Sequence, residues 1–207
     1  MAPIRPSKIV CVGKNYAKHA AEMGGEVPAE PLVFLKPPSA LVGDGDDIVM
    51  PRRSSRVDYE GEIGVIIGTR ARRVSRDEAW SYVQALVPVN DVTARDLQKS
   101  DNQWTRAKGF DSFCPVGTPV PVSEVDLTAL AVTTTVNGEV RQHGLVSEMA
   151  YDIPAIIEFV SGIMTLEAGD LIATGTPDGI GPLAEGDEVV VDVAGVGSVR
   201  NRVVKEA

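Results

Sequence analysis

The sequence predicts a strand-rich α+β fold built as one domain, and three observations point there. The chain has 207 residues, against ~100 to 200 for a typical domain with a substantial core, so two independent domains are disfavoured. Its 20 Gly and 14 Pro lie between short apolar runs rather than in a low-complexity block, as turn residues of a strand-rich fold do. Hydrophobic residues make up 43% and charged residues 24%, a balance that fits neither a disordered tail nor a membrane protein.

The elements follow in order. Lys8 to Val12 is an apolar run closed by Gly13 and reads as a strand, whereas Asn15 to Met23 is rich in helix formers. Leu32 to Leu35 is a short strand, ended by Lys36-Pro37-Pro38, which cannot continue a ladder. The chain must turn at Asp44-Gly45-Asp46-Asp47. Val57 to Ile67 alternates with period two, so Asp58, Glu60 and Glu62 fall on one strand face and Val57, Tyr59, Ile63 and Val65 on the other. Ser75-Arg76-Asp77-Glu78 has capping-box form and introduces a helix from Ala79-Trp80 to Leu86. Leu86 to Val92 is apolar, interrupted by Pro88. Val136-Asn137-Gly138-Glu139 predicts a hairpin that sets the register of Thr133 to Gln142, because both central turn residues need positive φ. Asp152-Ile153-Pro154 opens a helix over Ala155 to Val160, with Gly162 as its stop. Asp170 to Ala173, Glu188 to Val193 and Ser198 to Val204 read as strands.

Charge and composition remove several functions. The net charge of −9 disfavours nucleic acid and anionic membrane surfaces as partners and leaves a cation open. No apolar run reaches the ~18 residues that cross a bilayer, and Met1-Ala2-Pro3-Ile4-Arg5-Pro6 lacks the apolar stretch of a signal peptide, so a cytoplasmic location is expected. Cys11 and Cys114 are too few for a disulfide framework and read as reduced, structural thiols. With His19 and His143 as the only histidines, a multi-histidine metal site is ruled out.

Chemistry concentrates in a few places. Same-face residues of a strand are about 6.6 to 6.8 Å apart, a gap that Glu60 and Glu62 can close onto one ion. Asp58 adds a third carboxylate beside apolar Val65-Ile66-Ile67, a cluster that would repel itself unless a cation neutralised it. Oxygen ligands suit Mg²⁺ or Mn²⁺ better than Zn²⁺. Asp91 ends an apolar run, either as a third ligand or as a cap for a helix over Thr93 to Gln98. His19 and Glu22 share a helix face, where a carboxylate can raise the basicity of an imidazole; an ordinary surface pair has the same spacing. Lys108 is read as a substrate-binding ammonium or a solvent-facing side chain. The loop Gly175-Thr176-Pro177-Asp178-Gly179-Ile180-Gly181 follows an apolar strand and is either an anion cradle of backbone N–H groups or a plain turn. It is no P-loop, since no Gly-Lys-Ser/Thr follows. The absence of a Gly-x-Ser-x-Gly elbow leaves serine-hydrolase chemistry without local support.

Taken together, Cys11-Val12-Gly13-Lys14-Asn15-Tyr16 with His19 and Glu22, Phe34-Leu35-Lys36-Pro37, Asp58-Tyr59-Glu60-Gly61-Glu62-Ile63, Asn90-Asp91-Val92-Thr93-Ala94-Arg95, Lys108-Gly109-Phe110-Asp111, Val136-Asn137-Gly138-Glu139 with Arg141-Gln142, and Ala173-Thr174-Gly175-Thr176-Pro177 resemble the fumarylacetoacetate hydrolase family. The likeness covers nearly the whole chain. It implies a mixed β-roll with a few short helices, a single catalytic domain over 1–207, and a lid segment at 14–30. It also implies Mg²⁺ or Mn²⁺ held by Glu60, Glu62 and Asp91, catalysis by Lys108 with the His19 and Glu22 dyad, and substrate contacts from Gly175, Thr176, Arg95 and Gln98. The stretch Arg141 to Met149 departs, after its matching Arg141-Gln142, from the pattern of many members.

The resemblance points to hydrolysis of a C–C bond in acylpyruvate-type 2,4-dioxo acids, fumarylpyruvate among them, releasing pyruvate and a carboxylic acid. The dyad favours that reaction because members without it are more often isomerases or decarboxylases. Oxaloacetate decarboxylation and isomerisation of a 2-hydroxy-dienedioate are the enzymatic alternatives, and a non-catalytic oxo-acid or metal-binding protein is the distant one. A small 2-oxo or 2,4-dioxo acid and a second copy of the chain, as a homodimer, are the expected partners.

Overall fold

The computed structural model describes residues 4–207; Met1-Ala2-Pro3, the start of the opening expected to lack the apolar stretch of a signal peptide, lies outside them. Two larger sheets dominate. In the first, the strands run in the order Val120–Pro121, Val83–Asn90, Gly61–Ile67, Leu171–Ala173, Ile9–Gly13 and Leu32–Lys36. The second runs Glu139–Leu145, Ala131–Val136, Glu188–Val193, Gly197–Lys205 and Asp47–Met50. Both are mixed, with Ile9–Gly13 parallel to Leu171–Ala173 and Gly197–Lys205 parallel to Asp47–Met50. Val57–Tyr59, Thr93–Ala94 and Gly181–Pro182 form a small third sheet. The α-helices are short: Ala17–Glu22, Arg95–Ser100, Thr105–Lys108 and Ile153–Ile163.

The first sheet is covered on both faces, which explains why its strands are nearly continuous apolar runs. On one face Val10, Val12, Ile63, Val65 and Leu86 pack with Val132, Val191 and Val193 of the second sheet and Ile153, Ile156, Ile157 and Val160 of the longest helix. On the other, Ile9, Cys11, Ala85, Val87 and Val89 meet Cys114 and Val116. Both cysteines are free and buried there, as structural thiols. Among the described residues, no helix is long and apolar enough to cross a membrane.

Most local signals hold. Asn137 and Gly138 adopt φ of 53° and 79°, so the hairpin forms where its turn chemistry demands. The Asp152 side chain accepts the Ala155 N–H at 2.9 Å and caps its helix. That helix continues through Gly162 to Ile163, past the expected stop, because a single interior glycine costs only ~1 kcal/mol against a face already buried.

One expectation is overturned. Ser75 does not start a helix to Leu86: its hydroxyl bonds the Glu78 carboxylate at 2.7 Å instead of a backbone N–H. Only a 3₁₀ segment, Arg76–Tyr82, follows before the chain extends at Val83. As a strand, Val83–Asn90 pairs with Gly61–Ile67 and sends Ala85, Val87 and Val89 to one face and Leu86 to the other. Burial on both faces outweighs the capping signal.

Candidate active site

The site begins where the acidic strand breaks. Val57–Tyr59 belongs to the small sheet and Gly61–Ile67 to the large one, so the chain passes between sheets at Glu60. The Glu60 N–H donates to Asn90 Oδ1 at 2.9 Å, and the Asp91 N–H to the Glu60 carbonyl at 2.8 Å. Gly61 has no room for a side chain, since a Cβ would fall 1.9 Å from Thr134 Oγ1. Its N–H donates to Gln142 Oε1 at 3.0 Å, and its carbonyl accepts from Thr176 Oγ1 at 2.9 Å. On this edge, opposite the strand Val83–Asn90 that pairs with it, side chains take the place of a neighbouring strand.

Glu60, Glu62 and Asp91 bring carboxylate oxygens within 4.8 Å of one another, all buried. Lys108, at the end of its short helix, donates to Glu60 Oε2 at 2.7 Å and Asp91 Oδ2 at 2.6 Å. Lys36, fully buried, donates to Asp91 Oδ1 at 2.6 Å and the Val92 carbonyl at 3.1 Å. Arg95 donates to Glu60 Oε1, to Gln98 Oε1 and, at 2.9 Å, to Asp58 Oδ2. Asp58 is therefore not the carboxylate that calls for an ion. Arg56, at 2.8 and 3.1 Å, and Arg95 already neutralise it. Asp91 caps no helix, as the following helix starts at Arg95 without a side-chain cap.

The charges are unevenly met. Burial alone would raise Glu60, but the Lys108 ammonium and Arg95 guanidinium hold its carboxyl well below the usual range. Burial, Asp91 and Glu60 instead push Glu62 well up, and its bond from the Gly175 N–H at 2.8 Å does not compensate. Burial opposes the charged form of Lys108, yet Asp91 and Glu60 raise its pKa above the ordinary lysine range. Three buried oxygen donors, one of them lacking a cationic partner among the described residues, fit a hard divalent cation.

His19 is buried and lines the cavity that also holds Glu60, Glu62, Asp91, Lys108 and Thr176. Its Nδ1 lies 3.4 Å from Glu22 Oε2. Glu22, near the surface, also accepts the Gly179 N–H at 3.3 Å, which joins the 14–30 segment to the glycine loop. Arg95 and Gln98 line the same cavity, of about 150 Å³. The Gly175 N–H, expected as part of an anion cradle, is spent on Glu62. Lys36, Asn90 and Gln142 were assigned no role from sequence. For Lys36 a signal existed: a lysine continuing the apolar run Leu32 to Leu35 is out of place unless buried with a partner.

The fumarylacetoacetate (FAA) hydrolase C-terminal family model matches residues 8–204. The chain belongs to the fumarylacetoacetate hydrolase family. Members of this family are enzymes, and the strand-rich fold matches their solved structures. The chain is 45% identical to the mitochondrial oxaloacetate tautomerase FAHD1 of Mus musculus, over 94% of this chain and 90% of that protein. A 2-hydroxyhepta-2,4-diene-1,7-dioate isomerase from Mycobacterium marinum superposes with a TM-score of 0.91 at 47% identity, over 100% of this chain and 77% of that one. A fumarylpyruvate hydrolase from Pseudomonas aeruginosa, solved with Mn²⁺ and pyruvate, superposes with a TM-score of 0.92 at 30% identity, over 99% and 91%.

Proposed function

We propose that this protein is a divalent-cation-dependent enzyme of small 2-oxo acids, in which His19 moves the proton on which the reaction turns. The observation that carries this reading is the His19 Nδ1 to Glu22 Oε2 contact of 3.4 Å on a histidine lining the same cavity as three clustered carboxylates. Glu60, Glu62 and Asp91 would hold Mg²⁺ or Mn²⁺, whose Lewis acidity favours negative charge on the oxygen of a 2-oxo acid.

With an acylpyruvate-type substrate, the 2,4-dioxo acid lies between the carboxylate floor and the dyad. Glu22 engages Nδ1, which leaves Nε2 to take a proton from water as the water oxygen attacks the distal carbonyl carbon. The bond between that carbon and C3 then breaks, its electron pair passing into the pyruvate enolate. The proton held by His19 returns to C3. Lys108 orients the oxo-acid end, and Arg95 with Gln98 borders the path to it.

The FAHD1 relative favours a second reading, tautomerisation of oxaloacetate. The same imidazole then takes a proton from C3 and returns it to oxygen, without water. Decarboxylation of oxaloacetate needs still less of the dyad, whereas isomerisation of a 2-hydroxy-dienedioate is a proton shift between oxygen and carbon that the same imidazole can serve. On either reading the 14–30 segment acts as the lid, latched through Glu22 to Gly179.

The test is a panel of acetylpyruvate, fumarylpyruvate and oxaloacetate assayed for pyruvate release and enol decay, before and after chelation and with Mg²⁺ or Mn²⁺ restored. Activity is expected to vanish with chelator and return with metal. Full activity in metal-free protein, or no turnover of any 2-oxo acid, overturns the proposal.

A further inference from the structure

Resting on that reading, we propose that Lys14 and Lys99 recognise a second carboxylate at the far end of the substrate, so the site selects 2-oxo diacids over 2-oxo monoacids. Both lysines line the cavity, and among the described residues neither is in an ion pair. Depth separates them from the other cations of the site: Lys36 and Lys108 are buried at the carboxylate floor, whereas Lys14 is half-buried and Lys99 exposed. Met23, Phe34 and Trp104 add an apolar wall to the lining, with the two rings packed edge to face at 5.2 Å and Lys108 Nζ 4.8 Å from the Phe34 ring centre. The cavity thus combines a buried charged floor, an apolar wall and two less buried ammonium groups.

The carboxylates of the floor are met elsewhere. Asp58, Glu60 and Asp91 pair with Arg56, Arg95, Lys36 and Lys108, which leaves Lys14 and Lys99 open to a carboxylate that arrives with the ligand.

The backbone adds an independent sign. Lys14 has φ of 57°, a left-handed conformation that non-glycine residues rarely adopt and that clusters at ligand-binding positions. It follows Val12 and Gly13, which also line the cavity, and carries the Lys14 Nζ to the Gly25 turn beyond the dyad helix: a Cβ on Gly25 would lie 3.0 Å from it.

The experiment compares kcat/KM for fumarylpyruvate and acetylpyruvate in the Mn²⁺-loaded protein and in its Lys14→Gln, Lys99→Gln, double and Lys14→Arg variants. The ratio of diacid to monoacid is expected to fall about tenfold in the double variant, mostly through KM, and to be largely kept by Lys14→Arg. KM for the diacid should also rise more steeply with salt than KM for the monoacid. An unchanged ratio in the double variant overturns the inference while leaving the proposed function standing. Where oxaloacetate alone is turned over, an unchanged KM for it in the double variant overturns the inference; failure to turn over any of the three compounds removes both.

Discussion

Gln142 accepts the Gly61 N–H at 3.0 Å and donates to Thr176 Oγ1 at 2.7 Å and the Pro177 carbonyl at 2.8 Å. One buried amide from the second sheet thereby ties the peptide between Glu60 and Glu62 to the glycine loop. Gln142→Leu strands these partners, each at about 1 to 3 kcal/mol. Thermal denaturation should show a clear loss of stability, and KM should rise as the loop loosens. Gln142→Glu, which keeps an acceptor for Gly61, should fall between the two.

Gly61 and Thr134 should be coupled. A Cβ at 61 meets Thr134 Oγ1 at 1.9 Å but Thr134 Cβ only at 3.3 Å. Gly61→Ala is expected to cost about 1 to 3 kcal/mol through overpacking, and adding Thr134→Ala should recover much of it. A double-mutant cycle measures the coupling; strict additivity would count against the clash.

Lys36 should matter most when no divalent cation is bound. Removing one partner of a buried ion pair typically costs about 3 to 5 kcal/mol, and Lys36→Met leaves Asp91 with Lys108 alone. Added Mn²⁺ should therefore raise Tm more in this variant than in the parent protein. Equal Mn²⁺ shifts in the two proteins would contradict a cation seated at Asp91.

The dyad should discriminate between reactions. Positioned acid–base catalysis contributes about 10²- to 10⁴-fold, so His19→Ala should cut acylpyruvate hydrolysis by that factor and slow oxaloacetate decarboxylation much less. Steady-state rates on both substrates, with Mn²⁺ affinity as control, decide this. A parallel loss of both activities would mean that His19 closes the site or binds substrate.

The thiols should be silent in the native protein. Burial, outweighing the Lys36 ammonium, pushes Cys114 up to about 12, and burial with the nearby Asp91 raises Cys11 well above its ordinary value. Neither is a thiolate at pH 8, so a thiol reagent should label them only on unfolding. Because the folded state keeps protons that the unfolded chain releases, this contribution to stability is whole below the unfolded thiol pKa of about 8.5 and declines as pH rises from there toward about 12.

Features that depend on near neighbours are legible in the amino-acid sequence. The Asn137-Gly138 turn, the Asp152 cap, the dyad spacing and the paired glutamates around Gly61 are all set by residues within three positions of one another. Strand alternation also placed Asp58 beside those glutamates, but only the tertiary structure showed that Arg56 and Arg95 neutralise it. The helix expected after Ser75 failed for the same reason, as a local capping pattern yielded to pairing with Gly61–Ile67. Lys36 and Asp91 meet across 55 positions, and Gln142 and Gly61 across 81. Such contacts leave no periodic mark in the chain. They depend on how the sheets stack, and that is set by burial of apolar faces rather than by the polar residues the stacking brings together.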